Sequence, residues 1–282
     1  MGISSSTTGN RTRSGRLFQN NWAQPFFDDG YSCRQKKPNG ISTTPCQQCP
    51  LRDLPHFRDF SSSELDFVSR FKTGELAVES GSVILMEGSH SAHLYTVLHG
   101  WAFRYKTLED GRRQILNYVM PGDLVGLQGT VMGEMEHSVE ALSPVTLCVF
   151  ERSRLNNLFT DHPTLAFDLT WIAASEERML DNHLLSIGRR TAIERAAYLI
   201  AFLYRKAKAA NLLPGETPIP VTQQHVADTL GLSIVHTNKT LRKLVDRGLI
   251  RWIDKGCLVL DEAGLSHVAG WESDEKRQRP FI

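Results

Sequence analysis

The sequence predicts an α+β fold in which a β-rich half is followed by a long helix and a small helical domain that ends in a β-hairpin. Between residues 76 and 150, strand-sized apolar or alternating runs are separated by turn residues, which is typical of a sandwich or barrel. After residue 161, apolar residues recur at helical spacing. Residues 221–244 have the pattern of two short helices joined by a tight turn.

The composition excludes membrane-spanning and disulfide-rich classes of protein. Of the 282 residues, 41% are hydrophobic and 22% are charged, as in globular proteins with a buried core. No run approaches the roughly 18 apolar residues of a membrane span, and the polar N-terminal segment lacks the apolar region of a secretory signal. We therefore expect no membrane partner. Five cysteines without an export signal favour a reducing compartment, which indicates a cytoplasmic location.

The net charge of +1 conceals a segregation of charge along the chain. Residues 53–188 carry ten Lys/Arg against nineteen Asp/Glu, whereas residues 189–251 carry eleven against four. A basic block joined to an acidic one favours a polyanionic partner for the basic block alone. A solvated helix face would give the same balance, so charge by itself does not decide between the two.

The first 160 residues divide into an arm and a β-rich domain. Residues 1–45 are rich in Ser, Thr, Asn, Gly and Arg without periodicity, so we predict a disordered or loosely ordered arm. The β-rich domain extends over 46–160, with turns at Gly100, Gly111 and Pro121-Gly122-Asp123. Its strands are expected at 82–86, 94–98, 101–105, 114–119 and 145–150.

A single long helix is predicted over 161–188. Asp161 is a capping residue at its start, Pro163 suits its first turn, and Gly188 marks the break before the next helix. Such a helix packs through its apolar stripe, either within the chain or against a second copy. The stripe consists of Leu165, Leu169, Ile172, Met179 and Leu184.

Residues 221–250 meet three requirements of a helix-turn-helix. Ala227 is small where two helices cross, Gly231 can adopt the positive φ of the sharp turn, and Ser233 caps a second helix. The apolar face of that helix contains Thr237, Leu241 and Leu244. Short strands at 250–253 and 257–260 complete a winged domain over 189–270, and residues 271–282 form a tail.

In this order the elements resemble the Crp/Fnr family of transcription regulators. The resemblance extends over about residues 46–265 and depends on Pro121-Gly122-Asp123-Leu124-Val125-Gly126, on residues 189–197 and on residues 221–250. It implies an N-terminal double-stranded β-helix (β-roll) sensor domain, a dimerisation helix over 161–188 and a C-terminal winged helix-turn-helix domain that binds DNA. It also implies a homodimer on a pseudo-palindromic operator in double-stranded DNA, with RNA polymerase as a further partner.

The resemblance assigns DNA contacts to the start of the second helix and to the first turn of the helix before it. Asn238 could pair with adenine, and His236 and Lys239 could read guanine, while a phosphate contact stays open for His236. Thr222 and Gln223 are placed for phosphate oxygens. The full set of DNA-binding residues is Thr222, Gln223, Ser233, Ile234, Val235, His236, Asn238, Lys239 and Arg242. Because the family often has other residues at positions 235 and 236, we expect an operator that differs from the common consensus of the family.

The β-roll is similar to a cyclic-nucleotide-binding fold, but its anion site is altered. The family's nucleotide binders hold the phosphate with an Arg-Ser or Arg-Thr pair, and His137-Ser138 stands at that place here. Glu134, Glu136 and Glu140 surround it in the sequence, and carboxylates compensate a buried phosphate poorly. We therefore expect a signal other than cyclic AMP, with a cyclic-nucleotide-responsive regulator as the alternative.

Four cysteines provide a second type of sensor. Fnr-like members of the family bind an iron–sulfur cluster through three N-terminal cysteines and one in the roll. Here Cys46 and Cys49 form a Cys-x-x-Cys motif, Cys148 matches the fourth ligand, and Cys33 precedes them. The usual third cysteine is missing, and His56 lies near that place. The alternatives are an iron–sulfur cluster that responds to redox state or oxygen, a zinc site with His56 as a ligand, and an ordinary core cysteine with bystanders.

Enzymatic motifs are missing from the sequence. It contains no nucleophile elbow, P-loop or dinucleotide fingerprint, and its ten histidines are scattered. An acid/base role for residues 134–140 is disfavoured because acidic loop residues are usually solvated. A ligand-binding module without a role in transcription is disfavoured by the helix-turn-helix. The sequence therefore predicts a regulator and not an enzyme.

Overall fold

Eight strands make up the first half of the described structure. The computed structural model describes residue 2, residues 43–271 and residues 278–282, so most of the predicted arm, including Cys33, lies outside the described residues. The strands of this half are β1 (Lys72–Val78), β2 (Val83–Leu85), β3 (His93–His99), β4 (Ala102–Thr107), β5 (Arg113–Val119), β6 (Leu124–Val125), β7 (Ser138–Ala141) and β8 (Val145–Glu151).

These strands form the β-roll as two four-stranded antiparallel sheets. Their orders are β1-β8-β3-β6 and β2-β7-β4-β5. Val97 and Leu147 of the first sheet share one buried cluster with Val119 and Val139 of the second, so the core lies between the sheets. The five strands expected from the sequence correspond to β2, β3, β4, β5 and β8 with ends shifted by no more than two residues. The prediction of a β-rich fold for this half is thus confirmed.

Helices flank the roll and form the second half. They are α1 (Ser62–Phe71), α2 (Leu127–Met132), α3 (Leu155–Asp161), α4 (Pro163–Arg189), α5 (Ala192–Ala209), α6 (Gln223–Leu230), α7 (Ile234–Asp246) and α8 (Glu262–Ala269), with a hairpin of β9 (Ile250–Ile253) and β10 (Gly256–Val259) between α7 and α8. No helix in the described parts of the chain is long and apolar enough to cross a membrane.

The ends of the long helix α4 differ from the prediction. Asp161 is the last residue of α3, and His162 takes the cap position with φ −135° and ψ 70°. The reason is Pro163, because a residue before proline is disfavoured in helical conformation. Gly188 lies inside the last turn, since the amide of Arg190 still donates to the carbonyl of Ser186 at 3.1 Å. The assignments of Asp161 as the cap and Gly188 as the break were therefore wrong.

The apolar residues of α4 are buried in one part of the helix and exposed in another. Leu165, Leu169 and Ile172 are buried with Leu158 and Phe67 against the roll. Further along the helix, 71% of Leu184 is exposed. The exposed large apolar residues of α4 are Phe167, Leu180, Leu184 and Leu185. Apart from Phe167, the large apolar residues in the first half of the helix thus pack within the chain, and the second half leaves an apolar surface.

The helix-turn-helix domain packs against the edge of the roll. Arg113 of β5 pairs with Asp228 of α6 at 3.1 Å, and the Tyr118 hydroxyl lies 2.9 Å from the Thr229 hydroxyl. The side-chain amide of Gln114 donates to the carbonyl of Thr229 at 2.8 Å. These contacts fix α6, and through the tight turn they also position α7.

Candidate nucleic-acid interface

The helix-turn-helix has the geometry that its sequence predicts. Gly231 ends α6 with φ +64° and ψ 34°, the left-handed conformation that favours glycine. Ala227 is buried, and its carbonyl accepts the amide of Leu232 across the turn at 3.2 Å. Thr237, Leu241 and Leu244 form the buried face of α7. The opposite face of α7 is consequently turned to solvent.

That opposite face carries the side chains expected at base edges. The exposed fraction is 38% for Ile234 and 60% for Val235, and His236, Asn238, Lys239 and Arg242 are exposed as well. Among the described residues, these last four side chains have no hydrogen-bond or ion-pair partner. Unpaired donors on a convex helix are what readout in a major groove requires.

Thr222 and Ser233 act first as helix caps. The Ser233 hydroxyl accepts the amide of His236 at 3.3 Å, and the Thr222 hydroxyl accepts the amide of His225 at 3.1 Å. Each hydroxyl still has its own proton to donate. A phosphate oxygen could accept that proton without loss of the cap. The expected DNA contacts of both residues are therefore compatible with their structural role, and Gln223 lies half-buried beside Thr222.

The sequence reasoning missed His225. Its Nδ1 accepts the amide of Thr222 at 3.1 Å, which closes a capping box in which histidine stands in the place of the usual Glu or Gln. Burial and the charge of Arg113 lower the pKa of His225, so the ring stays neutral and keeps its acceptor nitrogen. The signal in the sequence was Thr-x-x-His directly before an apolar helix.

Two family models match the chain at the roll and at this interface. A cyclic nucleotide-binding domain matches residues 75–162, and a Crp-like helix-turn-helix domain matches residues 194–268. The nitrogen fixation regulation protein FixK of Rhizobium meliloti (strain 1021) is 32% identical over 223 residues, which cover 78% of this chain and 90% of that protein. The chain belongs to the Crp/Fnr family of transcription regulators.

Two further Crp/Fnr relatives match most of the chain. The FixK protein of Bradyrhizobium diazoefficiens is 29% identical over 233 residues, which cover 83% of this chain and 96% of that protein. The solved structure of FixK2 from Bradyrhizobium japonicum superposes with a TM-score of 0.63 at 26% identity, covering 71% of this chain and 98% of that one. These relatives are transcription regulators and not enzymes, so α6 and α7 belong to the DNA-binding domain of a regulator.

The interior of the roll does not offer a free cation at the position of the family's phosphate site. His137 is buried, and burial together with the charges of Arg104 and Lys106 lowers the pKa of His137 to about 4. The ring is therefore neutral at neutral pH. The Ser138 hydroxyl accepts the amide of Glu87 at 3.0 Å.

Arg104 is the buried cation of this interior, and its partners belong to the chain itself. Its guanidinium pairs with Glu176 of α4 and donates to the carbonyl of Leu124 at 2.7 Å. The side chain of Asn117 donates to the same Glu176 carboxylate at 3.4 Å. The Glu176 carboxylate thus neutralises the Arg104 guanidinium, which is the positive charge that an anionic ligand would need.

The three glutamates near His137 do not surround it in space. Glu134 and Glu136 are exposed, and Glu140 pairs with Arg113 at 3.4 Å. The expectation that carboxylates crowd this site was wrong, because alternate residues of a strand point to opposite faces and the loop before the strand is solvated. Neutral His137 and the pairing of Arg104 argue against a phosphate ligand more directly.

Three of the four described cysteines lie close together but do not form a metal site by themselves. Cys46 and Cys49 are half-buried, Cys148 on β8 is buried, and all three belong to one apolar cluster. Burial is the main cause that raises the pKa of Cys148 to about 12; the Lys72 ammonium lowers this pKa, and Cys49, Glu75 and Cys46 nearby raise it. A metal that bound here would have to displace these protons, because the thiolate is the form that ligates.

No group of three or more His, Cys, Asp or Glu side chains in the described part of the chain could hold a metal ion. Cys33 lies outside the described residues. His56 lies near the place in the sequence where the family has its third cysteine. Its Nδ1 is buried without a hydrogen-bond partner, and burial and the charge of Arg279 lower the pKa of His56 to about 4. Cys257 is buried in the wing. The residues described here therefore do not fit a metal centre without a further ligand.

Proposed function

We propose that this regulator binds a pseudo-palindromic operator as a homodimer, with α7 of each protomer in the major groove. The observation that carries the proposal is the exposed face of α7, where His236, Asn238, Lys239 and Arg242 have no partner among the described residues. Buried polar groups in proteins are nearly always paired, whereas exposed donors on one face are available to a ligand. Duplex DNA offers acceptors on the base edges of its major groove.

The individual contacts follow from side-chain chemistry. Asn238 pairs with an adenine, and Lys239 reads a guanine. Ile234 and Val235 contact thymine methyl groups, because apolar side chains offer no hydrogen bonds. Arg242, Thr222 and Gln223 bind phosphates, and Ser233 keeps the recognition helix capped while it touches the backbone.

The dimer is proposed to form through α4. Phe167, Leu180, Leu184 and Leu185 leave an apolar surface on this helix, and exposed apolar patches of this kind are typical of interfaces. Two-fold symmetry of the protein would then be matched by two-fold symmetry of the operator. RNA polymerase is the further partner that a regulator bound beside a promoter would contact.

Selection from random duplexes tests the operator proposal. We expect the full-length protein to enrich an inverted repeat whose half-sites lie about one helical turn apart. The variant Asn238→Ala should enrich a sequence with a relaxed adenine position. Enrichment of no sequence, or of a sequence without symmetry, would contradict the proposal.

The signal is proposed to be redox state or oxygen, received at the cysteines. Support comes from the shared cluster of Cys46, Cys49 and Cys148, to which Cys33 would add a fourth thiolate. An iron–sulfur cluster is the preferred group and zinc the second option, since both take thiolate ligands. Metal analysis and an absorption spectrum of protein purified without oxygen test this part. A colourless, metal-free protein would remove it and leave the DNA proposal intact.

A further inference from the structure

The last five residues of the chain lie in a groove on the β-roll. Arg279 pairs with Phe57 as in a parallel sheet. The amide of Arg279 donates to the carbonyl of His56 at 2.8 Å, and the amide of Arg58 donates to the carbonyl of Arg279 at 3.0 Å. The segment 55–60 thus forms one wall of the groove by adding a short strand-like pairing.

Apolar side chains fill the groove. Only 4% of Phe281 is exposed, and Ile282 is buried beside it. The Phe281 ring centroid lies 4.8 Å from the centroid of Phe57 and 4.8 Å from that of Phe60. The hydroxyl of Thr96 in β3 donates to the carbonyl of Ile282. Two consecutive apolar side chains and one main-chain acceptor are therefore recognised in the roll.

A buried carboxylate at the end of the groove joins three parts of the molecule. Asp123 of the roll accepts the Arg279 guanidinium at 2.9 Å and the Lys206 ammonium of α5 at 2.6 Å. Arg279 also donates to the carbonyl of Gly122 at 3.2 Å. The Asp123 carboxylate of the roll consequently pairs both with the DNA-binding domain and with the last residues of the chain.

The floor of the groove requires glycine. Gly122 has φ +86°, and a Cβ built on it would lie 2.1 Å from Cζ of Phe57. Any other side chain at this position would push Phe57 out of the wall. The Pro121-Gly122-Asp123 turn therefore supplies both the space for the wall and the carboxylate for Arg279.

We propose that this groove is a peptide-binding surface of the sensor domain whose occupant is residues 278–282, and that its occupation holds the DNA-binding domain in its orientation for the operator. Residues 278–282 follow the DNA-binding domain in the chain, whereas the groove belongs to the roll. The wall segment 55–60 begins six positions after Cys49, so a short stretch of chain connects these cysteines to the groove. The link to operator binding rests on the proposed function.

A full-length double variant, Arg279→Ala with Phe281→Ala, empties the groove. A fluorescent pentapeptide Gln-Arg-Pro-Phe-Ile should then bind the variant at least about tenfold more tightly than the wild type, because the tethered segment outcompetes free peptide through its effective concentration. The matched control is Gln278→Ala, since Gln278 is exposed and its side chain makes one weak contact at 3.4 Å. Equal peptide binding by the double variant and the wild type would overturn the proposal.

Operator affinity gives the second measurement on the same proteins. We expect the double variant to lose about tenfold in affinity, a typical coupling between two sites, and Gln278→Ala to lose none. Free peptide should not restore the loss, because it is not joined to the DNA-binding domain. An unchanged or increased affinity would overturn the coupling. The peptide measurement uses no DNA, so a failure of the operator proposal would be seen separately.

Hydrogen exchange on the wild type requires no substitution. The amides of Arg58 and Arg279 are both hydrogen-bonded in the groove, so they should be protected and should exchange at one common rate if the segment opens as a unit. Unprotected exchange at both amides would overturn the proposal even if the double variant failed to fold.

Discussion

At the residue scale, His137 shows how burial changes the chemistry inside the β-roll. The ring lies inside the roll beside Arg104 and near Lys106, and both charges disfavour its protonation. With a pKa lowered to about 4, it cannot supply the positive charge that an arginine would supply at neutral pH. At neutral pH, His137 is therefore an uncharged polar group.

A pH dependence of stability follows from His137. Its pKa falls from 6.5 in the unfolded chain to about 4 in the folded one, so between these values the unfolded state binds more protons. The free energy of unfolding should therefore decrease as the pH falls from 6.5 to 4. Urea unfolding at several pH values measures this slope, and His137→Phe should make it shallower. A variant with the slope of the wild type would contradict this origin.

The ion pair between buried Arg104 and half-buried Glu176 gives a second prediction for single residues. Glu176→Gln should lower the free energy of unfolding by about 3 kcal/mol, because it leaves a buried guanidinium without its carboxylate. The double variant Arg104→Met with Glu176→Leu should lose less, since no unpaired charge stays behind. Denaturant unfolding of the three proteins measures both effects. An equal loss in the single and double variants would show that the pair is not the cause.

At the scale of single elements, α7 is defined by the contrast between its two faces. The buried face fixes the helix against α5 and α6, and the cap at Ser233 fixes its start. The exposed face carries side chains that the fold does not use. Substitutions on this face should therefore change DNA binding without changing stability.

Lys239→Ala tests that separation. If Lys239 reads a guanine, the variant should lose about 1–3 kcal/mol of operator affinity per half-site and relax the preference at one base step in each half-site. Lys243→Ala is the matched control, because Lys243 is an exposed lysine on the same helix, nearer its end. Fluorescence anisotropy with operator and random duplexes measures both variants. Equal losses by Lys239→Ala on both duplexes would limit its role to a phosphate contact.

The helix α4 carries the prediction on assembly. Leu184→Asp should weaken self-association by about 2–3 kcal/mol, because a carboxylate would be placed in an apolar interface without a partner. Leu108→Asp is the control, since Leu108 is an exposed leucine in the turn between β4 and β5. Sedimentation equilibrium over a range of concentrations gives the dissociation constants. An unaffected dimer of Leu184→Asp would place the interface elsewhere.

For the whole molecule, the separation of charge gives its two halves opposite electrostatic interactions with DNA. The roll and α4 lie in the acidic block 53–188, and the helix-turn-helix lies in the basic block 189–251. An acidic half repels the DNA backbone, so the protein should approach a duplex with its helix-turn-helix first. The charge also sets how binding depends on salt.

Operator affinity should fall steeply with ionic strength. A dimer that makes about six to ten phosphate contacts releases the counterions of those phosphates, so affinity should fall roughly a thousandfold or more between 50 and 200 mM salt. Titrations of wild type at several salt concentrations give the slope, and Arg242→Ala should reduce it by about two, because each protomer of the dimer loses one phosphate contact. A slope near zero would contradict binding through the DNA backbone.

Much of the fold and the DNA-contacting face could be predicted from the sequence because their signals are local. Gly231 requires only its own φ, Ser233 caps the helix that begins beside it, and the strands follow from alternation and turns within ten residues. The start of α4 was misplaced because Asp161 belongs to the end of the preceding helix α3. Pro163 disfavours helical conformation at His162 and so separates the two helices. His225 was missed because a histidine rarely closes a capping box.

The sequence by itself determined the order of the elements, the helix-turn-helix and the basic character of the half that contains it, since each depends on neighbours along the chain. Only the tertiary structure decided that Glu176 neutralises Arg104 inside the roll, that Glu140 turns to Arg113, and that residues 278–282 return to Asp123. These partners are separated by between 27 and 156 residues. Pairing over such distances is set by the packing of whole sheets and helices, which no local pattern of residues records.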